Sequence, residues 1–132
     1  MTANKPNNKA NIVYAELSYK IMGAIFEVHK ELSPGFLESI YERALIDEFS
    51  KRKLKVESQK NIDVIYKGKK IGIHRLDLVV ENKVVVEIKA IERFSIYHKT
   101  QLTSYLKANG YKLGILVNFS KSKVEYCRII IR

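Results

Sequence analysis

Three charged residues sit inside stretches that otherwise read as apolar strands. Asp77 interrupts Leu76–Val80, and Glu87 and Lys89 interrupt Val84–Ala90 as the triplet Glu87-Ile88-Lys89. Residues two apart on a strand point to one face, so Glu87 and Lys89 project together. The tight turn Glu81-Asn82-Lys83 makes the two strands hairpin neighbours, which lets Asp77 stand beside Glu87. A pair of carboxylates offers oxygen ligands to a hard cation such as Mg2+ or Mn2+, and the backbone carbonyl of Ile88 can add a third. Such a cation makes a water acidic enough to attack a phosphodiester. Lys89 would then orient that water or offset the charge that grows in the transition state.

The triplet by itself is weak. Acid-x-Lys occurs twice, at Glu81-Asn82-Lys83 and at Glu87-Ile88-Lys89. The first falls in a turn. The second falls in an apolar strand, where charge is expensive unless something offsets it, and that placement singles it out. The competing reading is an edge strand whose polar face is wet. Two helical groups can join the set. Gln101 and Tyr105 are four apart and share a helix face with His98. Glu38 follows Gly35 at the start of a helix, where it can serve a metal site or stabilise the helix N-terminus.

The elements that must position these groups follow from periodicity. Leu17, Ile21, Ala24, Ile25, Val28 and Leu32 form one helical stripe in a helix beginning near Asn11, broken by Ser33-Pro34-Gly35. A second helix carries Leu37, Ile40, Tyr41, Ala44, Leu45 and Phe49 on its apolar side and ends at Lys51-Arg52-Lys53. From Ile62 the period becomes two. A turn at Lys67-Gly68-Lys69-Lys70, a strand over Ile71–Val80 and a strand over Val84–Ala90 follow. The run Val84-Val85-Val86 suggests a strand covered on both faces. A helix from Ser95 to Asn109, stopped by Gly110, and strands Leu113–Phe119 and Val124–Ile131 complete a βαβ unit and a last strand.

The chain has 132 residues, 46% hydrophobic and 29% charged, which suits one domain. Residues 1–10 read as a disordered tail and residues 11–132 as a single domain. No apolar run approaches the length of a membrane span, and the polar N-terminus is no signal peptide. The single cysteine, Cys127, reads as a buried small hydrophobe and fits a reducing, cytoplasmic setting. His29 and His74 read as structural or exposed. The net charge is +10, and residues 67–132 hold 14 basic and 5 acidic residues. Such a surface attracts polyanions, of which nucleic acid is the commonest.

Asp77, Glu87-Ile88-Lys89 and Gln101-x-x-x-Tyr105 together resemble the PD-(D/E)XK nuclease superfamily. Gly35-Phe36-Leu37-Glu38-Ser39-Ile40-Tyr41 resembles the signature of the GxxExxY family of small prokaryotic proteins, with Glu27-Val28-His29 also fitting. The resemblance covers nearly the whole chain. It implies an α/β fold with a restriction-endonuclease-like core, a mixed β-sheet flanked by helices in the order α-α-β-β-β-β-α-β-β. It implies Mg2+ or Mn2+ at Asp77 and Glu87, with Glu38 as a further acid, Lys89 catalytic, and Gln101 and Tyr105 lining the site. Two positions depart from the pattern: Leu76 stands where the superfamily name has Pro, and Ser33 where the family usually has Gly. The expected function is a metal-dependent nuclease hydrolysing phosphodiester bonds of nucleic acid, DNA rather than RNA, with no membrane partner and a homodimer as one expected assembly. The alternative is a catalytically silent nucleic-acid-binding or accessory protein on the same fold.

Overall fold

A computed structural model describes residues 14–132. The expected tail at 1–10 and the first three residues of the expected domain lie outside them. Helix α1 (Ala15–Leu32) buries Ile21, Ala24, Ile25 and Val28, the stripe the spacing of apolar residues predicts. It stops because Ser33 and Gly35 take positive φ, 61° and 122°. The second value is one that a side chain tolerates poorly, hence the glycine. Helix α2 (Glu38–Lys51) buries Tyr41, Leu45 and Phe49. Leu37 and Ile40, expected on the same apolar side, are exposed, because Leu37 precedes the first helical turn and the packed face is narrower than the sequence stripe.

Tyr41 explains the far end of the Gly35-to-Tyr41 signature. Its hydroxyl donates to the Ser33 carbonyl (2.6 Å) and accepts the Phe36 N–H (3.2 Å). Its ring stacks on Phe119 with centroids 4.5 Å apart. The loop between the helices is thus pinned to the sheet by one buried side chain. Tyr41→Phe keeps the stack and orphans two backbone groups, so it should cost about 1–3 kcal/mol of stability. Urea denaturation checks this, and an unchanged midpoint would remove the pinning role.

The sheet is β1 (Val56–Tyr66), β2 (Lys69–Val80), β3 (Val84–Lys89), β4 (Leu113–Asn118) and β5 (Glu125–Ile130), in that spatial order, with helix α3 (Ile96–Asn109) between β3 and β4. All neighbours are antiparallel except β3 and β4, which the α3 crossover makes parallel. The mixed sheet flanked by helices is the expected fold class. In order it differs at one point: three strands, not four, precede α3. The polar Val56–Asn61 and the apolar Ile62–Tyr66 form one strand, because the chain turns over at Gln59 (φ 55°) without leaving its partner.

Both hairpins turn on pairs of positive φ, at Lys67 and Gly68 (50° and 78°) and at Glu81 and Asn82 (54° and 57°). This handedness matches the twist of the flanking strands. Lys69 and Lys70, expected in the first turn, already belong to β2. Glu81 also secures the start of β1, its carboxylate accepting the Lys55 N–H at 2.6 Å, so the first acid-x-Lys triplet has a structural use.

Two cores flank the sheet. On one side Ile21, Ile25, Leu45 and Phe49 of α1 and α2 pack on Leu78, Val86 and Ile115. On the other, Leu102 and Leu106 of α3 pack on Leu76, Val79, Val85 and Leu116. Residues Val84–Ile88 are therefore buried throughout, as strand burial from both faces requires. Helix α3 lies so close that a Cβ on Gly114 would meet the Leu106 side chain at 2.9 Å. His98 serves the start of α3, its Nδ1 accepting the Ser95 N–H at 3.0 Å. Cys127 is only partly buried, because it lies on edge strand β5. Among the described residues no helix is long and apolar enough to cross a membrane.

Candidate active site

Leu76 and Leu78 are two apart on β2 and should share a face. They pack instead into the two different cores, Leu78 towards α1 and α2 and Leu76 towards α3. Across the ladder, Ser58 pairs with Leu78 and Lys60 with Leu76, so the register is kept, while Gln59 between them is left-handed. Both strands roll over together at Gln59 and Asp77.

The β2–β3 ladder ends at the same place. It runs from Val80↔Val84 to Leu78↔Val86. At the next step side chains take over from the backbone. The Asp77 N–H donates to Glu87 Oε2 at 2.8 Å, and the Ile88 N–H donates to Asp77 Oδ2 at 2.8 Å. Past this point β2 continues only with β1, and β3 only with β4 as far as Lys89↔Asn118. The sheet forks, and the two carboxylates occupy the crotch, each held by the opposite branch.

That position is electrostatically demanding. Burial, and then the charge of Asp77, push the Glu87 carboxyl up to about 8. Burial also raises Asp77, against the pull of the Ile88 N–H. Lys89 lowers both, yet forms no salt bridge among the described residues. A buried carboxylate, Glu87, beside a half-buried one, Asp77, resists ionising, and a nearby cation stabilises both as anions.

Helix α2 brings further acids. Glu38 Oε2 accepts the Ala90 N–H at 3.0 Å, which ties the first turn of α2 to the end of β3 next to Lys89. Glu42, one turn further along, was not singled out from the sequence, although four residues after Glu38 it shares the same helix face. Its charge is felt by both Asp77 and Glu87. It accepts two hydrogen bonds from Gln59 Nε2 (3.0 and 2.8 Å), and Gln59 Oε1 accepts one from Arg75 (3.0 Å). The left-handed Gln59 therefore links the fork to α2.

From α3, Tyr105 stacks face to face on His74, with centroids 3.6 Å apart. His74 is lowered by burial and then by the charge of Lys89, so the stacked pair is within reach of that charge. Gln101 is not joined to the carboxylates by a hydrogen bond, and its Nε2 reaches Tyr97 at 3.4 Å. His29, read as structural or exposed, lies against Phe119 and bonds to the Lys121 carbonyl at 2.7 Å.

A divalent ion fits this donor set in a restricted sense. Among the described residues no three His, Cys, Asp or Glu side chains form a ready-made metal cage. Asp77 and Glu87 each spend one oxygen on a backbone N–H, and the other accepts no hydrogen bond from the described residues. Mg2+ commonly uses one or two carboxylates and keeps several waters, so this pair is enough.

A model of the PD-(D/E)XK nuclease superfamily matches residues 15–129. The chain belongs to that superfamily. Asp77, Glu87 and Lys89 follow the order that the superfamily's name spells, with Leu76 in place of its proline and packed into the core beneath α3. Among solved structures, the crystal structure of SSO0001 is similar, with a TM-score of 0.57 and 25% identity over 70% of this chain. This chain spans 50% of that one. No curated protein matches it. PD-(D/E)XK nucleases in general act on nucleic acids with divalent metals.

Proposed function

We propose that the chain is a metal-dependent nuclease of the GxxExxY type, hydrolysing phosphodiester bonds of DNA. The observation that carries this is the carboxylate pair at the fork. Glu87 is locked by the Asp77 N–H and Asp77 by the Ile88 N–H, and each keeps one oxygen for a cation. The Ile88 carbonyl would complete the protein's direct ligands, and Glu38, which among the described residues forms no three-acid cluster with the pair, would act through a metal-bound water. When bound, Mg2+ or Mn2+ supplies a Lewis acid that makes water nucleophilic and offsets phosphate charge.

The protein's own groups do the rest. Reciprocal bonding holds both carboxylates in place before substrate arrives, so little reorganisation is needed at the moment of reaction. Lys89 supplies fixed positive charge where the attacked phosphate gathers negative charge. Tyr105, braced by His74, and Gln101 line the approach of the phosphate. Glu42 holds the Gln59 side of the fork steady. The basic residues over 67–132 provide attraction to the polyanion. DNA, rather than RNA, is taken from the resemblance to the family.

The experiment is an assay of the purified chain on labelled single-stranded, duplex and branched DNA and on RNA, in Mg2+, in Mn2+ and in EDTA. Cleavage of DNA that EDTA abolishes is expected. Binding without cleavage on every substrate would overturn the reading in favour of the silent accessory protein, and cleavage of RNA alone would overturn the substrate.

A further inference from the structure

The outer branch of the fork is a two-stranded arm. Beyond Asp77, β2 has only β1 as a strand neighbour, with α3 covering its base at Leu76 and His74, and the pair runs out to the two-residue turn at Lys67-Gly68. At about 3.3 Å per residue, the arm covers roughly 13 Å from Asp77 at Ile73 and roughly 26 Å at Lys69.

Its surface is unusual for a solvated hairpin. Ile65, Tyr66, Ile71 and Ile73 are each more than half exposed. Around them, residues 60–75 carry five basic groups against one acid, Asp63. Lys67 Nζ lies 5.4 Å from the Tyr66 ring centroid, so a cation and an aromatic face stand together at the tip.

We propose that this arm is a binding surface for unpaired nucleotides next to the scissile phosphate, with its lysines on phosphates and its apolar and aromatic side chains against base faces. This rests on the nuclease reading and names the class of substrate for it. Charge complementarity favours a polyanion over a second copy of the chain, since a twofold contact through the tips would bring Lys67, Lys69 and Lys70 against their own kind. The exposed isoleucines and tyrosine in turn favour single-stranded over duplex nucleic acid. In a duplex the base faces are stacked and only edges and methyl groups are on offer. Unstacked bases present the flat apolar surfaces that aromatic and aliphatic side chains cover. The position at the fork supplies the third argument: a strand whose phosphate lies at Asp77 and Glu87 has the arm beside it.

Two variants test this. The first is Tyr66→Ala with Ile71→Ser and Ile73→Ser, and the second is Lys67→Gln with Lys69→Gln and Lys70→Gln. All six side chains are on the surface, and matching thermal melts confirm the folds. Binding is read by fluorescence anisotropy in EDTA, on a single-stranded oligonucleotide of about 16 residues and on a blunt duplex. The apolar variant should lose at least about 10-fold in affinity for the single strand and little for the duplex. The lysine variant should flatten the salt dependence of single-strand binding by about 2 log units per log unit of salt, the release expected for three contacts. With metal present, both should raise KM and leave kcat in place.

Unchanged single-strand affinity, or an equal loss on duplex, overturns the proposal. So does sedimentation showing that the apolar variant turns a dimer into a monomer with its DNA affinity intact, which would assign the arm to a second copy. Because binding is measured without cleavage, an inactive wild type whose arm variants still lose single-strand affinity would sink the nuclease reading and leave the arm. An active nuclease indifferent to the arm variants would sink only the arm.

Discussion

Lys89→Ala should lower metal-supported cleavage by about 10²- to 10³-fold, the usual cost of removing a fixed charge that meets developing negative charge. The fold should survive. Lys89 is the last residue of β3 and, among the described residues, forms no salt bridge whose partner would be stranded. Nucleic-acid affinity should change little, because affinity is a sum over many phosphate contacts and Lys89 is one of 24 basic residues. The loss should therefore appear in kcat. Single-turnover cleavage in Mg2+, paired with binding in EDTA, separates the two effects. If cleavage persists within a few-fold of wild type, Lys89 has no catalytic part. If affinity falls as far as rate does, its part is in binding.

The second large effect is on stability and follows from Glu87. Its carboxyl is raised from 4.5 to about 8 in the folded chain, by burial and then by Asp77. A raised acid keeps its proton in the folded state over a range where the unfolded chain has lost it. The folded state binds more protons between those two values, so stability falls as pH rises through the window. In EDTA the melting temperature should, as far as this group is concerned, be on a plateau below pH 4.5, decline towards pH 8 and then level off. Asp77, raised by burial, acts in the same direction. Glu87→Gln should flatten the decline. Mn2+ should reverse it, since a ligand for the ionised pair stabilises only the folded state, and the gain should be larger at pH 8 than at pH 5. Melts at a series of pH values, with and without Mn2+, check all of this. A wild-type profile that rises between pH 5 and 8 in EDTA, or an equal Mn2+ shift in wild type and Glu87→Gln, would contradict it.

The helices and the central strands were legible in the sequence because burial imposes a period. Ile21, Ala24, Ile25 and Val28 recur at the helical spacing, and Val84–Val86 show the unbroken run of a strand covered on both faces. The carboxylate pair was legible too, as charge placed where apolar residues surround it. The first half of β1 was not. Val56–Asn61 shows no alternation, because the strand turns over at Gln59 and its outer face is wet. The same turnover hid the reversal between Leu76 and Leu78, which no two-residue pattern can display. Glu42 escaped notice because a surface acid on a helix is ordinary until the fold brings Gln59 and the carboxylates to it. His74 was read as structural or exposed, since only the fold sets it against Tyr105 and near Lys89.

The fork also separates what can vary from what cannot. The acids come from α2, β2 and β3, positions spread from Glu38 to Glu87, and each is held by a backbone group of another element. An insertion between Leu76 and Leu78 would undo the exchange of faces and detach Asp77 from its partner strand. The arm is a contiguous stretch with a free tip at Lys67-Gly68, and lengthening or shortening it there leaves every one of those bonds in place. Reach along a substrate and the chemistry performed on it can thus diverge independently among descendants of one ancestral chain, the first by changes in hairpin length and the second only by rebuilding the crotch.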